Sequence, residues 1–203
     1  MTEISAEQVK RLRDLTGAGM MDCKRALQET GGDVDKAIEL LRQRGLASAA
    51  KRAGRAANQG LVDSYIHFNN TVGVLVEVNC ETDFVANTGE FKQLVKDIAL
   101  HVASPAAPRW LRREDVPARV VEQEEHIARV QAKESGKPDD VIERIVEGKL
   151  RAFYVDSVLL EQPFVKDDSK TIQQLLDEVG AKVGEKVAVR RFVRYKLGES
   201  IEG

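Results

Sequence analysis

Hydrophobic positions follow a helical period in the first part of the chain, alternate in the middle, and return to a helical period before one last alternating run. Val9 and Leu12, with Leu15 or Thr16, form the inner stripe of a first helix. Ser5 and Gln8 make a capping-box pattern in front of it, flanked by Ile4 and Val9 as a hydrophobic staple. Gly17 and Gly19 permit a tight reversal. A second helix carries Met20 or Met21, Cys23, Ala26 and Leu27 and stops before Gly31-Gly32. A third, capped by Asp33, presents Val34, Ala37, Ile38 and Leu41 and ends at Gly45. Residues 1-45 therefore predict a three-helix bundle whose small core suits a docking module tethered to a larger domain. Residues 46-60 are rich in Ala and carry Lys51, Arg52 and Arg55, which reads as a helical or flexible connector with a solvated basic face.

From residue 61 the period becomes two. Val62, Ser64, Ile66 and Phe68 share one face of a predicted strand, and Leu61, Asp63, Tyr65 and His67 the other. Asn69-Asn70 suits a two-residue hairpin turn, because Asn tolerates a positive φ. Val72, Val74, Val76 and Val78 then alternate with Gly73, Leu75, Glu77 and Asn79, so residues 61-79 read as an antiparallel hairpin. A helix over 87-103 follows, capped by Asn87 with Glu90 at its third position and lined by Phe91, Leu94, Val95, Ile98, Ala99 and Val102. The loop Ser104-Pro105-Ala106-Ala107-Pro108 is packed back onto the body by Trp110 and Leu111. Residues 118-160 give two helices joined at Gly136-Lys137-Pro138, a projecting helical hairpin. Glu161 to Asp168 reads as an exposed turn with Phe164 tucked inward. A helix over 171-184 and a strand over 186-196 with a basic face complete a core module spanning 61-203. The fold class is α+β: the N-terminal bundle, then a three-stranded antiparallel sheet covered by helices on one side and open on the other.

Composition bears on the partner more than on the fold. Charged residues make up 32% of the 203, yet the net charge is only -2, so there is no polycation to attract nucleic acid. Bulk electrostatics favours a protein partner. Cys23 and Cys80 have no metal-like spacing and fit a reducing compartment. The polar start, Met1 to Ser5, is unlike a signal peptide, and no apolar run approaches the roughly 20 residues that span a bilayer. A cytoplasmic protein without membrane association is expected. His67, His101 and His126 lack companion ligands, there is no Gly-x-x-x-x-Gly-Lys-Ser/Thr loop, and no nucleophile sits beside a base. Neither catalysis nor a cofactor is expected. Asp139-Asp140 and Asp167-Asp168 lie near predicted helix starts, where the macrodipole accounts for them.

The candidate chemistry lies in the short connection from Glu81 to Ala86, between a strand ending near Cys80 and the helix after Asn87. In one reading Phe84 folds back under that helix while Asp83 caps locally. In the other Phe84 is a wedge for a partner's pocket and Asp83 meets a polar group beside it. The run Glu77-Val78-Asn79-Cys80-Glu81-Thr82-Asp83-Phe84-Val85 resembles the signature of the translation elongation factor Ts family, exchange factors of the GTPase elongation factor Tu. Leu12 to Leu27 is similar to that family's opening, a ubiquitin-associated-like three-helix domain, and Glu161 to Asp168 also matches.

The resemblance implies guanine-nucleotide exchange on elongation factor Tu, bound in its GDP and nucleotide-free forms and released when GTP binds. It places Thr82, Asp83, Phe84 and Val85 near the partner's Mg²⁺ site, with Phe84 wedging between helices and Asp83 repositioning polar groups of the metal's shell. By the same analogy Arg13, Met20 and Met21 are contact candidates, although either methionine could instead fill the bundle core. Family members of this short form are expected to pair as homodimers through the core sheet. Some link the pair by a cysteine in the last strand, where Val193 stands here. The alternative reading is a tRNA- or RNA-binding protein without exchange activity, supported by the basic connector and last strand alone. Under the exchange reading no direct nucleic-acid contact is expected.

Overall fold

The computed structural model describes residues 4–134 and 138–199; the predicted joint at Gly136-Lys137 and the first three residues lie outside them. Helices α1 (Ala6–Thr16), α2 (Met20–Glu29) and α3 (Val34–Ala53) open the chain. The Ser5 hydroxyl accepts from Gln8 N at 3.2 Å while Ser5 N donates to Gln8 Oε1 at 2.9 Å, closing the reciprocal cap. Gly17, at φ 65°, ends α1 with a bond from its N–H to the Arg13 carbonyl. Val9, Leu12, Cys23, Ala26, Leu27 and Ala37 make the bundle's core, and Val34, Ile38 and Leu41 pack against it.

Two expectations, for the end of α3 and for the connector, need correction. Helix α3 does not stop at Gly45 but continues to Ala53. A helical glycine costs only about 1 kcal/mol relative to Ala, and the Ala-rich run beyond it sustains the helix. Of the two residues offered for the end of the α1 stripe, Thr16 closes it, its hydroxyl donating to the Leu12 carbonyl, while Leu15 is 60% exposed. The connector's basic residues are not all solvated, since Arg52 is buried.

Strands β1 (Gln59–Ile66) and β2 (Val72–Cys80) follow. Five residues, His67 to Thr71, join them in place of the predicted two-residue turn. His67 N donates to Val72 O, and Asn70 takes the positive φ of 58°. Next come the single turn α4 (Asp83–Ala86), α5 (Gly89–Ala103), α6 (Ala118–Lys133) and α7 (Asp139–Ser157). The short pair β3 (Pro163–Phe164) and β4 (Asp167–Thr171), then α8 (Ile172–Val183) and β5 (Ala188–Lys196), complete the order.

The main sheet is antiparallel, in the order β1-β2-β5, and β3 pairs with β4 in a second small sheet. Val74, Val76, Val78 and Cys80 are buried on one face of β2, whereas Leu75 on the other is half exposed. A side chain at Gly73 would meet Ile66 Cδ1 at 3.1 Å, which puts Ile66 on that open face as well.

Two compact units emerge. The first comprises the chain up to Leu61 with Val78–Leu94 and Gln174–Ala188; the second comprises Val62–Glu77, Val95–Gln173 and the chain from Val189. In the second, α6 and α7 pair around Ala128, Ala132, Ile142 and Val146. Trp110 bridges to Val158, and Phe164 is buried. His101, fully buried, lies 2.9 Å from Gln162 Oε1 through Nε2 and accepts from Val165 N at Nδ1. Among the described residues no helix is long and apolar enough to cross a membrane, and no three His, Cys, Asp or Glu are grouped to hold a metal ion.

Candidate functional site

The connection after β2 is more ordered than a loop. Thr82, in extended backbone, caps α4 by accepting from Val85 N, and Ala86 is buried beneath the turn. The carbonyl of Asp83 accepts from both the backbone N and the side-chain amide of Asn87, each at 3.0 Å. Helix α5 is capped not by Asn87 but by Thr88, whose hydroxyl accepts from Phe91 N. Asn87 is occupied in closing α4.

Thr82, Asp83, Phe84 and Val85 are thus brought together on one turn. Phe84 does not fold back under α5; it is 83% exposed. Asp83 beside it is exposed, Val85 is half-buried, and Thr82 points inward to Glu185. An aromatic that remains in water at the tip of a rigid turn loses little conformational entropy when a partner covers it.

The turn is fixed by residues from the far end of the chain. One oxygen of Glu185 accepts from Glu81 N at 3.0 Å and Thr82 N at 3.1 Å, and the other accepts from the Thr82 hydroxyl at 2.6 Å. Glu81 returns the arrangement: its carboxylate accepts from Lys186 N at 2.6 Å and from the Arg55 guanidinium at 3.3 Å. Those two donors, the Lys186 N–H first, hold the Glu81 carboxyl below its ordinary range. Cys80 is buried and donates to the Thr82 carbonyl; burial, then the charge of Glu185, raises its thiol. Glu185 has no local sequence signal, since its partners lie more than a hundred residues away.

The N-terminal candidates flank the turn from α1 to α2. Arg13 is exposed, and Met20 and Met21 are 48% and 64% exposed, so neither methionine fills the bundle core. Leu15, exposed, adds to the apolar surface at this junction.

A family model described as Elongation factor TS matches residues 4–199. The chain belongs to the elongation factor Ts family. It is 58% identical over 202 residues to Elongation factor Ts of Desulforamulus reducens, covering 100% of this chain and 93% of the relative. It is 57% identical over 199 residues to Elongation factor Ts of a Thermoanaerobacter species, with 98% and 97% covered. A third relative, Elongation factor Ts of Geobacter metallireducens, is 58% identical over 198 residues, with 98% and 91% covered. The match over residues 4–199 therefore takes in the N-terminal bundle and the three-stranded sheet alike.

Proposed function

We propose that this chain is a guanine-nucleotide exchange factor for elongation factor Tu, binding its GDP form and promoting GDP release. The observation that carries the reading is Phe84, exposed on a turn that backbone hydrogen bonds hold in place. In a GTPase the phosphates are held by a backbone loop, a lysine and Mg²⁺, so displacing the groups around that ion removes a major anchor. Phe84 enters between elements of the GTP-binding domain, and Asp83 moves the polar groups that orient the metal's shell. Thr82 and Val85 set the turn that delivers them.

Residues 1-45 dock on the same partner through Arg13, Met20 and Met21, with residues 46-60 as the connector. The core, 61-203, supplies the grip against which the tip pushes. Linkage makes the complex transient: whatever factor this protein takes from GDP affinity, GDP takes from its own affinity. GTP binding then displaces it. The protein itself supplies no catalytic residue or cofactor, and it works in the cytoplasm.

Two copies pair through the open sheet face, where Val62, Ile66, Leu75 and Tyr195 are exposed. Direct nucleic-acid binding draws little support, because basic side chains at the connector and last strand are engaged internally. Arg55 pairs with Glu81, and Arg190 and Arg191 pair with Glu77. Release of labelled GDP from elongation factor Tu, followed with and without this protein, tests the reading. Acceleration that saturates with factor concentration is expected; unchanged release rejects it.

A further inference from the structure

We propose that Glu185 is a positioning residue for exchange: it never touches the partner, and it acts by locking the Glu81–Thr82 backbone so that the Asp83–Phe84 tip is presented in one orientation. This rests on the exchange reading given above.

The lock is reciprocal. Glu185 takes three hydrogen bonds from Glu81 and Thr82, while Glu81 takes the N–H of Lys186, the next residue after Glu185. Two chain segments a hundred residues apart thereby exchange backbone bonds through their own side chains. Thr82 sits at the junction: its hydroxyl donates to Glu185 and accepts from Val85 N, so a single oxygen joins the lock to the first turn of α4.

A third segment is tied in. Lys186 Nζ donates to the carbonyls of Ala53 at 2.6 Å and Arg55 at 3.0 Å, where α3 ends. Arg55 also reaches Glu81 and, at 3.5 Å, the Gly184 carbonyl. The end of the bundle's longest helix, the entry to β5 and the tip thus meet at the Glu81 and Glu185 carboxylates. Without Glu185, the two N–H groups and the Thr82 hydroxyl lose their acceptor and the tip samples several orientations. The partner would then have to order it during the exchange step rather than receive it ordered.

Three substitutions separate position from charge. Glu185→Ala removes the acceptor. Glu185→Gln keeps its length, its carbonyl still able to accept from the two backbone N–H groups and its amide able to donate to the Thr82 hydroxyl oxygen. Glu185→Asp keeps the charge but draws the carboxylate back by one methylene. GDP release from elongation factor Tu is followed by stopped flow over a range of factor concentrations, with hydrogen exchange at the Glu81 and Thr82 amides as a second readout.

The saturating release rate should fall on the order of tenfold for Glu185→Ala, the scale set by ordering one or two residues anew. The concentration for half-saturation should move less than about twofold, since the remaining docking surfaces are intact. Glu185→Asp should resemble Glu185→Ala, Glu185→Gln should stay within about threefold of the parent, and exchange at the two amides should quicken in step with the lost rate. Undiminished release by Glu185→Ala overturns the proposal. So does Glu185→Gln as impaired as Glu185→Ala beside an active Glu185→Asp, which would make charge the operative property. If the unsubstituted protein itself fails to speed release, the exchange reading falls, and the positioning role for exchange falls with it.

Discussion

Phe84 and Phe91 stand seven residues apart on consecutive helical elements in opposite environments: the first is 83% exposed, the second fully buried. Solvent already surrounds the Phe84 ring, so Phe84→Ala should change stability by less than about 0.5 kcal/mol. Phe91→Ala should cost about 3–5 kcal/mol through lost burial and the cavity left behind. Urea denaturation of the two variants measures the contrast. A large loss for Phe84→Ala would mean that the ring is packed in solution.

Gly60 holds φ 145°, and a side chain there would come within 2.1 Å of the Val78 carbonyl oxygen. Neither the backbone angle nor the contact admits Cβ, and both partners belong to the paired strands β1 and β2. Gly60→Ala should destabilise by about 2 kcal/mol or more. The control is Gly148→Ala, in an open helical position with nothing nearby, which should stabilise by about 0.5–1 kcal/mol.

His101 carries a pH dependence. Val165 N donates to Nδ1, which assigns the ring proton to Nε2 and the bond to Gln162. Burial depresses the His101 pKa below its ordinary 6.5, and the Gln162 bond only partly opposes this. Above about 6.5 both folded and unfolded forms are neutral, and His101 adds no pH dependence. As pH falls below that value the unfolded chain takes up a proton that the folded ring resists, so stability declines by up to roughly 1 kcal/mol per pH unit. Between about pH 5 and 6.5 the depressed carboxylates among the described residues, Glu29, Asp33, Glu81, Glu143 and Asp167, stay largely ionised in both states, and comparison with His101→Gln separates the histidine from what they add. Urea midpoints of the parent should fall across this window, and those of His101→Gln should stay nearly level.

Much of this architecture was legible because its causes are local. The cap on α1 needs only Ser5 and Gln8, three residues apart, and the buried face of β2 follows from the alternation Val74, Val76, Val78. What escaped depends on distance or brevity. Glu185 acts on residues more than a hundred positions away, and β3 spans two residues, too few to show a period. Asn87 and Thr88 are both competent caps, and only the closing of α4 by Asn87 decides between them. The corner at Thr82 to Val85 was visible as a connection between two regular elements; that it forms a helical turn was not, because its cap is shared with Glu185.

Pairing of two copies through the open sheet face has a direct check. Ile66→Asp with Leu75→Asp places two carboxylates on that face, where both side chains are at least half exposed, so folding should be little affected. Sedimentation equilibrium should show a dimer for the parent and a monomer for the double variant. A parent that remains monomeric at high concentration removes the sheet-mediated dimer.

Stopped-flow loss of labelled GDP from elongation factor Tu, with the parent and with Phe84→Ala, tests whether the aromatic tip drives nucleotide release. The parent should accelerate release to a plateau, and Phe84→Ala should lose on the order of thirtyfold of that plateau rate, as expected for an anchor worth about 2 kcal/mol. Its circular dichroism and urea midpoint should remain those of the parent. A folded Phe84→Ala that releases GDP at the parental rate would leave the aromatic tip with no part in exchange.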